Sequence, residues 1–200
     1  MIRWRFFHLL LLVLILGLVG CGTKVTRIDT DEVRDLSGRW NDTDSRLVAE
    51  AMVQDCLNRP WLSQFVTRTG KTPDIIVGQV RNRSSEHIST ETFTKDLERA
   101  LINSGRANFV ASSEEREGVR EERLDQDIHA SPETRKAPGM EAGADFMLIG
   151  SINSIVDREG KEMVVFYQVN LELIDMVDNR KVWLGEKKIK KFVERARFKL

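Results

Sequence analysis

An alternating run of side chains near the end of the chain constrains the fold more than any other feature. From Val165 to Leu173 every second residue is apolar or aromatic, and Gln168, Asn170 and Glu172 lie between them. Successive side chains on a strand point to opposite sides, so this spacing predicts a strand with one buried and one solvated face. The sequence therefore predicts a sheet of which one side is covered.

Two further strands are predicted around this one. The segment 145–155 is strand-like and connects to the strand 163–174 through a glycine-containing hairpin loop, residues 157–161. A turn at 178–179 leads into a third strand, 181–190, which carries Val182, Leu184 and Ile189, and its lysines are typical of an edge strand. The last third of the chain is therefore a three-stranded meander.

The earlier part of the chain predicts helices that alternate with strands. We expect a helix from about Thr43 to Leu57, capped by Asp42 or Thr43 and stopped by Pro60. The other elements are a buried strand at 74–80, a helix from near Ser89 to Gly105, a short strand at 109–110, a charged surface helix opened by Ser112 and Glu115, and a helix start at 131–133. This order indicates an α/β fold in which about four helices flank a mixed sheet of four to five strands.

The N-terminus resembles a bacterial lipoprotein signal. Arg3 and Arg5 precede an apolar run, 6–18, which is shorter than the roughly 20 residues that a membrane-spanning helix needs. The run closes on the motif Leu18-Val19-Gly20-Cys21. The resemblance implies that Cys21 is acylated, with palmitate-type chains that anchor it in a membrane, and that Gly22 directs it to the outer membrane. The alternative is a signal anchor with an unrelated cysteine.

The chain therefore divides into a signal peptide (1–20), a lipidated cysteine with a short tether (21–38) and one globular domain (39–200). Without the signal, the chain carries 29 basic and 31 acidic side chains, and it has no sustained basic block that would favour nucleic acid. Only Cys56 remains after Cys21, so no internal disulfide is expected. About 17 extended tether residues reach roughly 60 Å at most.

Catalytic and cofactor motifs are not recognisable in the sequence. His87 and His129 stand apart, no metal-ligand spacing occurs, and no glycine loop could hold a phosphate. We therefore expect no enzyme, no cofactor and no small-molecule substrate. We interpret Cys56 as a small buried core residue. A weak candidate for a partner contact is the polar loop 81–87, with Arg81, Asn82, Arg83 and His87, and the alternative is a solvated connector between strand and helix.

Several segments together resemble the LpoB family, lipoprotein activators of class A bifunctional penicillin-binding proteins. They are LSGRWNDTDSRL (36–47), VGQVRNRSSEHI (77–88), ADFMLIG (144–150), YQVNLELID (167–175) and KVWLG (181–185). The likeness covers about residues 36–190. It implies a fold like the N-terminal domain of TolB, a small mixed sheet with helices on both sides.

The resemblance also implies a function. The domain is expected to face the periplasm, dock on a class A peptidoglycan synthase and stimulate cell-wall synthesis. One departure is the tether, which is short and lacks proline, whereas well-known members have a long proline-rich one. The alternative is a structural or assembly lipoprotein of an envelope secretion or surface-organelle complex.

Overall fold

The computed structural model describes residues 23–30, 32–136 and 138–194. The predicted signal peptide, the predicted lipid site Cys21 and Gly22 lie outside the described residues. The chain forms two compact units, of which the first ends at Val33 and the second begins at Arg34. The described part of the first unit, residues 23–30 with 32–33, contains no helix or strand.

The second unit contains four helices and five strands in its described residues. The helices are α1 (Asp42–Leu57), α2 (Pro60–Thr69), α3 (Thr90–Asn103) and α4 (Ser113–His129). The strands are β1 (Asp74–Arg83), β2 (Asn108–Phe109), β3 (Phe146–Glu159), β4 (Glu162–Asp175) and β5 (Lys181–Glu194). None of the helices in the described part of the chain is both long and apolar enough to cross a membrane.

The strands form one mixed sheet in the order β2-β1-β3-β4-β5. β1 runs parallel to β2 and β3, whereas β3, β4 and β5 form an antiparallel meander. β5 lies at an edge of this sheet, as its lysines predict. The α/β class, the mixed sheet and the number of helices are confirmed.

Three helices pack on the same side of the sheet, which we call the inner face. Val48, Met52 and Cys56 of α1 join one buried cluster with the inward side chains of β4, and α2 adds Trp61 and Phe65 against Phe146 of β3. α3 adds Phe93, Leu97 and Leu101 to the same cluster. α4 buries no residue. α1, α2 and α3 therefore share one face of the sheet.

Cys56 is confirmed as a core residue. Its side chain is 3% exposed, and burial raises the pKa of its thiol to about 12. Leu47 of the same helix is 49% exposed, whereas its neighbours Val48 and Ala49 are buried.

Helix boundaries follow local signals where side chains can cap the backbone. Asn41, and not Asp42 or Thr43, caps α1, because its side chain accepts from the Asp44 amide in a reciprocal capping box. Ser89 and Ser112 cap α3 and α4 as predicted. Pro60 follows the end of α1 and also opens α2, a helix that the sequence analysis missed.

One local prediction was wrong in the segment before β3. The proposed helix at 131–133 is only a turn, held by the amides of Thr134 and Arg135 on the Ser131 carbonyl.

On β5, Trp183 is buried and Leu184 is 67% exposed. Trp183 pairs with the inward residue Leu173, whereas Leu184 pairs with Glu172 on the opposite side of the sheet.

Gly150 of β3 lies in close contact with β4. A Cβ at this position would lie 2.4 Å from the Asn170 carbonyl oxygen and 2.4 Å from Cδ2 of Leu171. A Cβ added at Gly118, in the exposed helix α4, would meet nothing within 4 Å. An added methyl group would therefore clash with β4 at Gly150, whereas it would contact no other atom at Gly118.

We expect Gly150→Ala to lower the free energy of unfolding by about 1–3 kcal/mol through overpacking. Gly118→Ala is the matched control, and it should raise the same quantity by about 0.5–1 kcal/mol because alanine loses less backbone entropy in a helix. Urea unfolding followed by circular dichroism measures both. Equal effects of the same sign would contradict this account of the β3–β4 contact.

Candidate functional site

The side of the sheet opposite α1, α2 and α3, which we call the outer face, is a surface that the described elements leave uncovered. No described helix packs across it, and its residues on β3 and β4 are partly or fully exposed where their inward neighbours are buried. Among the described elements, the helices α1, α2 and α3 cover the inner face, and the outer face is a candidate for partner contacts.

A β-bulge in β1 decides which side chains reach this face. Val77 pairs with Leu148 and Val80 pairs with Gly150, so Gly78 and Gln79 together lie opposite Ile149. The extra residue shifts the alternation of β1 by one position. A Cβ on Gly78 would lie 2.9 Å from Cγ2 of Ile149, so glycine suits this close approach.

Beyond the bulge, Arg81 and Arg83 stand on the outer face. Arg81 lies beside Ser151 and Arg83 beside Asn153, and directly paired residues share a face. Strict alternation from Val77 would have turned both arginines toward the helices. The predicted loop at 81–83 is therefore wrong: these residues are paired strand, and the bulge makes them surface residues.

The other two predicted contact residues do not join the arginines. Asn82 points to the opposite side from Arg81, and its amide donates to the Glu86 carbonyl at 2.8 Å while its oxygen accepts from the Ser84 amide at 2.9 Å. Asn82 therefore shapes the turn that follows β1. His87 is exposed beyond this turn, just before α3.

Polar residues continue across the middle of the outer face, next to the arginines. The Asn153 amide donates to Ser151 at 3.2 Å, and the Gln168 amide donates to the Asn170 oxygen at 3.2 Å. We call the set of six residues the outer polar strip. Its members are Arg81, Arg83, Ser151, Asn153, Gln168 and Asn170.

Apolar side chains extend the strip toward the β3–β4 hairpin. Ile155 pairs with Phe166, and Val164 pairs with Phe192. Ile155 is 66% exposed and Phe192 is 62% exposed. We call these four residues the apolar end. Contiguous exposed apolar groups mark interaction surfaces in soluble domains.

Positive charge lies on both flanks of this surface. Arg81 donates to Gln79 at 3.1 Å, and Arg83 has no ion-pair partner in the described residues. Lys190 lies beside Phe166 and is likewise unpaired within the described ranges. Arginine next to aromatic groups is the composition that protein interfaces favour.

Glu86 is the residue of this region that the sequence analysis missed. Its Oε1 accepts from the Tyr167 hydroxyl at 2.6 Å, and its Oε2 accepts from the Trp40 amide at 3.2 Å. Burial raises the pKa of Tyr167 above its usual range, and the bond to Glu86 adds to this shift. The sequence feature that indicates such a contact is Tyr167 in the apolar layer of β4, because a buried tyrosine needs a hydrogen-bond partner for its hydroxyl.

The same contacts hold the segment that enters the domain. The Tyr167 hydroxyl also approaches the Gly38 carbonyl at 3.4 Å, and the Trp40 ring packs edge-on against Tyr167 and Phe93. Glu86 therefore joins the turn after β1 to the strand β4 and to residues 38–40. Within the described residues, no group of three His, Cys, Asp or Glu side chains could hold a metal.

A second contact fixes this segment on β5. Lys191 Nζ donates to Asp35 and to Asp44 at 2.6 Å each, and to the Arg39 carbonyl at 3.2 Å. Burial acts to lower the pKa of Lys191, but the bonds to the two carboxylates outweigh it, and the pKa is raised. The lysine therefore stays charged, and it holds the chain from Asp35 onward.

We expect Glu86→Ala to lower the free energy of unfolding by about 1–3 kcal/mol, because the Tyr167 hydroxyl and the Trp40 amide lose their acceptor. Thermal and urea unfolding measure the change. The matched control is Glu159→Ala at the exposed hairpin, which should stay within about 0.5 kcal/mol of the parent. A Glu86→Ala variant as stable as this control would contradict the role given to Glu86.

Comparison of the chain with solved structures finds distant likenesses. The LpoB C-terminal domain from Salmonella enterica is 18% identical, with 72% of this chain and 98% of that chain covered and a TM-score of 0.36. A lipoprotein from Neisseria meningitidis is 18% identical over 63% of this chain and 88% of that chain, with a TM-score of 0.38. The PelC dodecamer from Paraburkholderia phytofirmans is 17% identical over 60% of this chain and 73% of that chain, with a TM-score of 0.36.

All three TM-scores lie below 0.5, so the family assignment depends on the sequence match alone. No curated protein matches the chain. The family model described as the peptidoglycan-synthase activator LpoB matches residues 44–189. This range contains nearly all of the four helices and the greater part of the five-stranded sheet. The chain therefore belongs to the LpoB family of peptidoglycan-synthase activators.

Proposed function

We propose that this protein is a lipid-anchored regulator, without catalytic activity of its own, that binds and activates a class A bifunctional peptidoglycan synthase. The observation that carries this proposal is the family match over residues 44–189, which supports a role in activating penicillin-binding proteins in general. The class of the synthase and the lipid anchor are parts of the proposal. The docking site, which we assign to the outer face, is also part of the proposal.

Composition and exposure support the outer face as the docking surface. Arg81 and Arg83 offer charged donors at one side, and the apolar end offers Phe166 and Phe192 at the other. Arginine and aromatic residues dominate the binding energy of many interfaces. The sheet beneath is held by the packed inner face, so docking needs little ordering of the backbone.

Activation follows from binding if the synthase has two states. An activator raises the active population only by binding that state more tightly than the resting one. A domain without reactive groups can therefore stimulate both glycan polymerisation and crosslinking.

The anchor limits which partner domain can be reached. We propose that Cys21 carries the lipid, in the outer membrane, with the domain facing the periplasm. Lys191 binds Asp35, and the 13 residues between Cys21 and Asp35 could span roughly 45 Å at most if fully extended. The synthase must therefore bring its docking domain within that distance of the lipid-bearing membrane.

The direct test is to titrate the full chain, in nonionic detergent, into the class A synthase of the same organism while glycan-chain polymerisation is followed. We expect a saturable rise in the polymerisation rate. Absence of both binding and rate change would overturn the activator proposal. It would favour the alternative of an assembly lipoprotein in an envelope secretion or surface-organelle complex.

The docking face is tested by the double variant Arg81→Ala, Arg83→Ala. We expect the affinity for the synthase to fall by about ten-fold or more, because two interface arginines are lost, while the melting temperature stays within about 2 °C. The matched control is the double variant Arg46→Ala, Arg99→Ala, whose residues lie on the helices α1 and α3 and not on the outer face. It should bind the synthase with the affinity of the parent. Similar affinities for the two double variants would remove the outer face from the proposal.

A further inference from the structure

One edge of the strand β1 is mostly unpaired. β2 pairs with β1 only at Asp74 and Ile75, and the Val110 amide then donates to the Ile75 carbonyl at 2.9 Å. On its other side, β1 pairs with β3 as far as Arg83. Among the described strands, none pairs with residues 76–83 on the β2 side. We call this stretch the free edge of β1.

No other described element packs extensively against the free edge. The elements with extensive contacts to β1 are β2, β3 and α3, and α3 packs on the inner face of the sheet. Gln79, Arg81, Asn82 and Arg83 are exposed, whereas Val80 is 5% exposed and fixes the strand on the core. The end of the free edge is therefore both accessible and held in place.

An open sheet edge presents backbone donors and acceptors to any extended segment that reaches it. A strand added here lies about 4.8 Å from β1, and its side chains stand beside those of β1 on each face. The β-bulge at Gly78 and Gln79 interrupts regular pairing, so about four residues of the added strand can pair beyond it. The contact is thus short, and its side chains must contribute to the affinity.

The arginines of β1 select the charge of such a segment. Arg81 and Arg83 stand two residues apart on the outer face, and neither forms an ion pair within the described residues. Cross-strand pairs of unlike charge are favourable, and pairs of like charge are unfavourable. Carboxylates at alternate positions of the added strand therefore suit both arginines, whereas lysines at these positions are repelled.

The opposite edge of the sheet, β5, has a different character. Lys187 lies beside the inward Val169, and Lys188 lies beside Gln168 of the outer polar strip. Lys188 already pairs with Glu186 at 2.6 Å. Lysines on both faces are typical of an edge that resists pairing, whereas the exposed cations near the end of β1 stand on the outer face alone.

We propose that the partner of this domain adds an extended acidic segment to the free edge of β1, with carboxylates at alternate positions beside Arg81 and Arg83. This inference rests on the proposed function, since it describes the element of the synthase that docks. Backbone bonds to β1 hold the segment whatever its sequence, and the arginines select acidic side chains. The outer polar strip then lies next to the bound segment.

The first test measures hydrogen exchange of backbone amides in the full chain, in nonionic detergent, with and without the class A synthase of the same organism. We expect amides within 79–83 to exchange at least about ten-fold more slowly in the complex, because new backbone bonds form. Amides of 187–190 on β5 should keep their rates. Binding without added protection at 79–83 would overturn strand addition and leave the activator proposal standing.

The second test does not depend on the synthase, so it decides this inference even where the activator proposal fails. The capped peptide acetyl-TEVEVET-amide, whose glutamates share one face of a strand, is titrated into the ¹⁵N-labelled full chain. We expect saturable shifts of the amide resonances within 79–83. Acetyl-TKVKVKT-amide should bind at least about five-fold more weakly, because its lysines oppose Arg81 and Arg83. The double variant Arg81→Ala, Arg83→Ala should lose this preference, and the control Arg46→Ala, Arg99→Ala should keep it.

Two N-methylated forms of the acidic peptide test the backbone bonds. One form is methylated on the glutamate nitrogens and the other on the valine nitrogens, and alternate amides of a strand face the same edge. One form should therefore bind about ten-fold more weakly than the other, because its methyl groups replace the donors that face β1. Equal affinities of the two methylated forms, or no saturable shift with the unmodified peptide, would overturn strand addition.

Discussion

The rest of the structure depends on the burial of one side of β4. Its inward residues from Val165 to Leu173 are at most 1% exposed. A slip of one residue in either neighbouring strand would turn its own inward side chains to solvent, so the register of the meander is strongly specified. The helices α1, α2 and α3 all pack on this layer, and their placement leaves the outer face of the same sheet uncovered.

One polar group sits within that apolar layer and connects it to the entering chain. The Tyr167 hydroxyl donates to Glu86, and Glu86 also accepts from the Trp40 amide. Lys191 holds Asp35 and Asp44 on the adjoining strand β5. Together these contacts hold the chain from Asp35 to Asp44 on the domain.

The proposed recognition surface follows from this arrangement. The outer face is broad and joins exposed apolar groups to a flank of arginines, as a protein partner requires.

The sequence by itself determined the elements whose signals are local: the alternation of β4, the serine caps of α3 and α4, and the apolar face that buries Cys56. These depend on residues a few positions apart, so periodicity and capping chemistry reveal them. It also carried the family resemblance. Only the tertiary structure decided that Arg81 and Arg83 point outward and that Glu86 meets Tyr167. The physical reason is that a bulge or a register shift is set by pairing with a distant strand, and one inserted residue reverses the direction of every side chain after it.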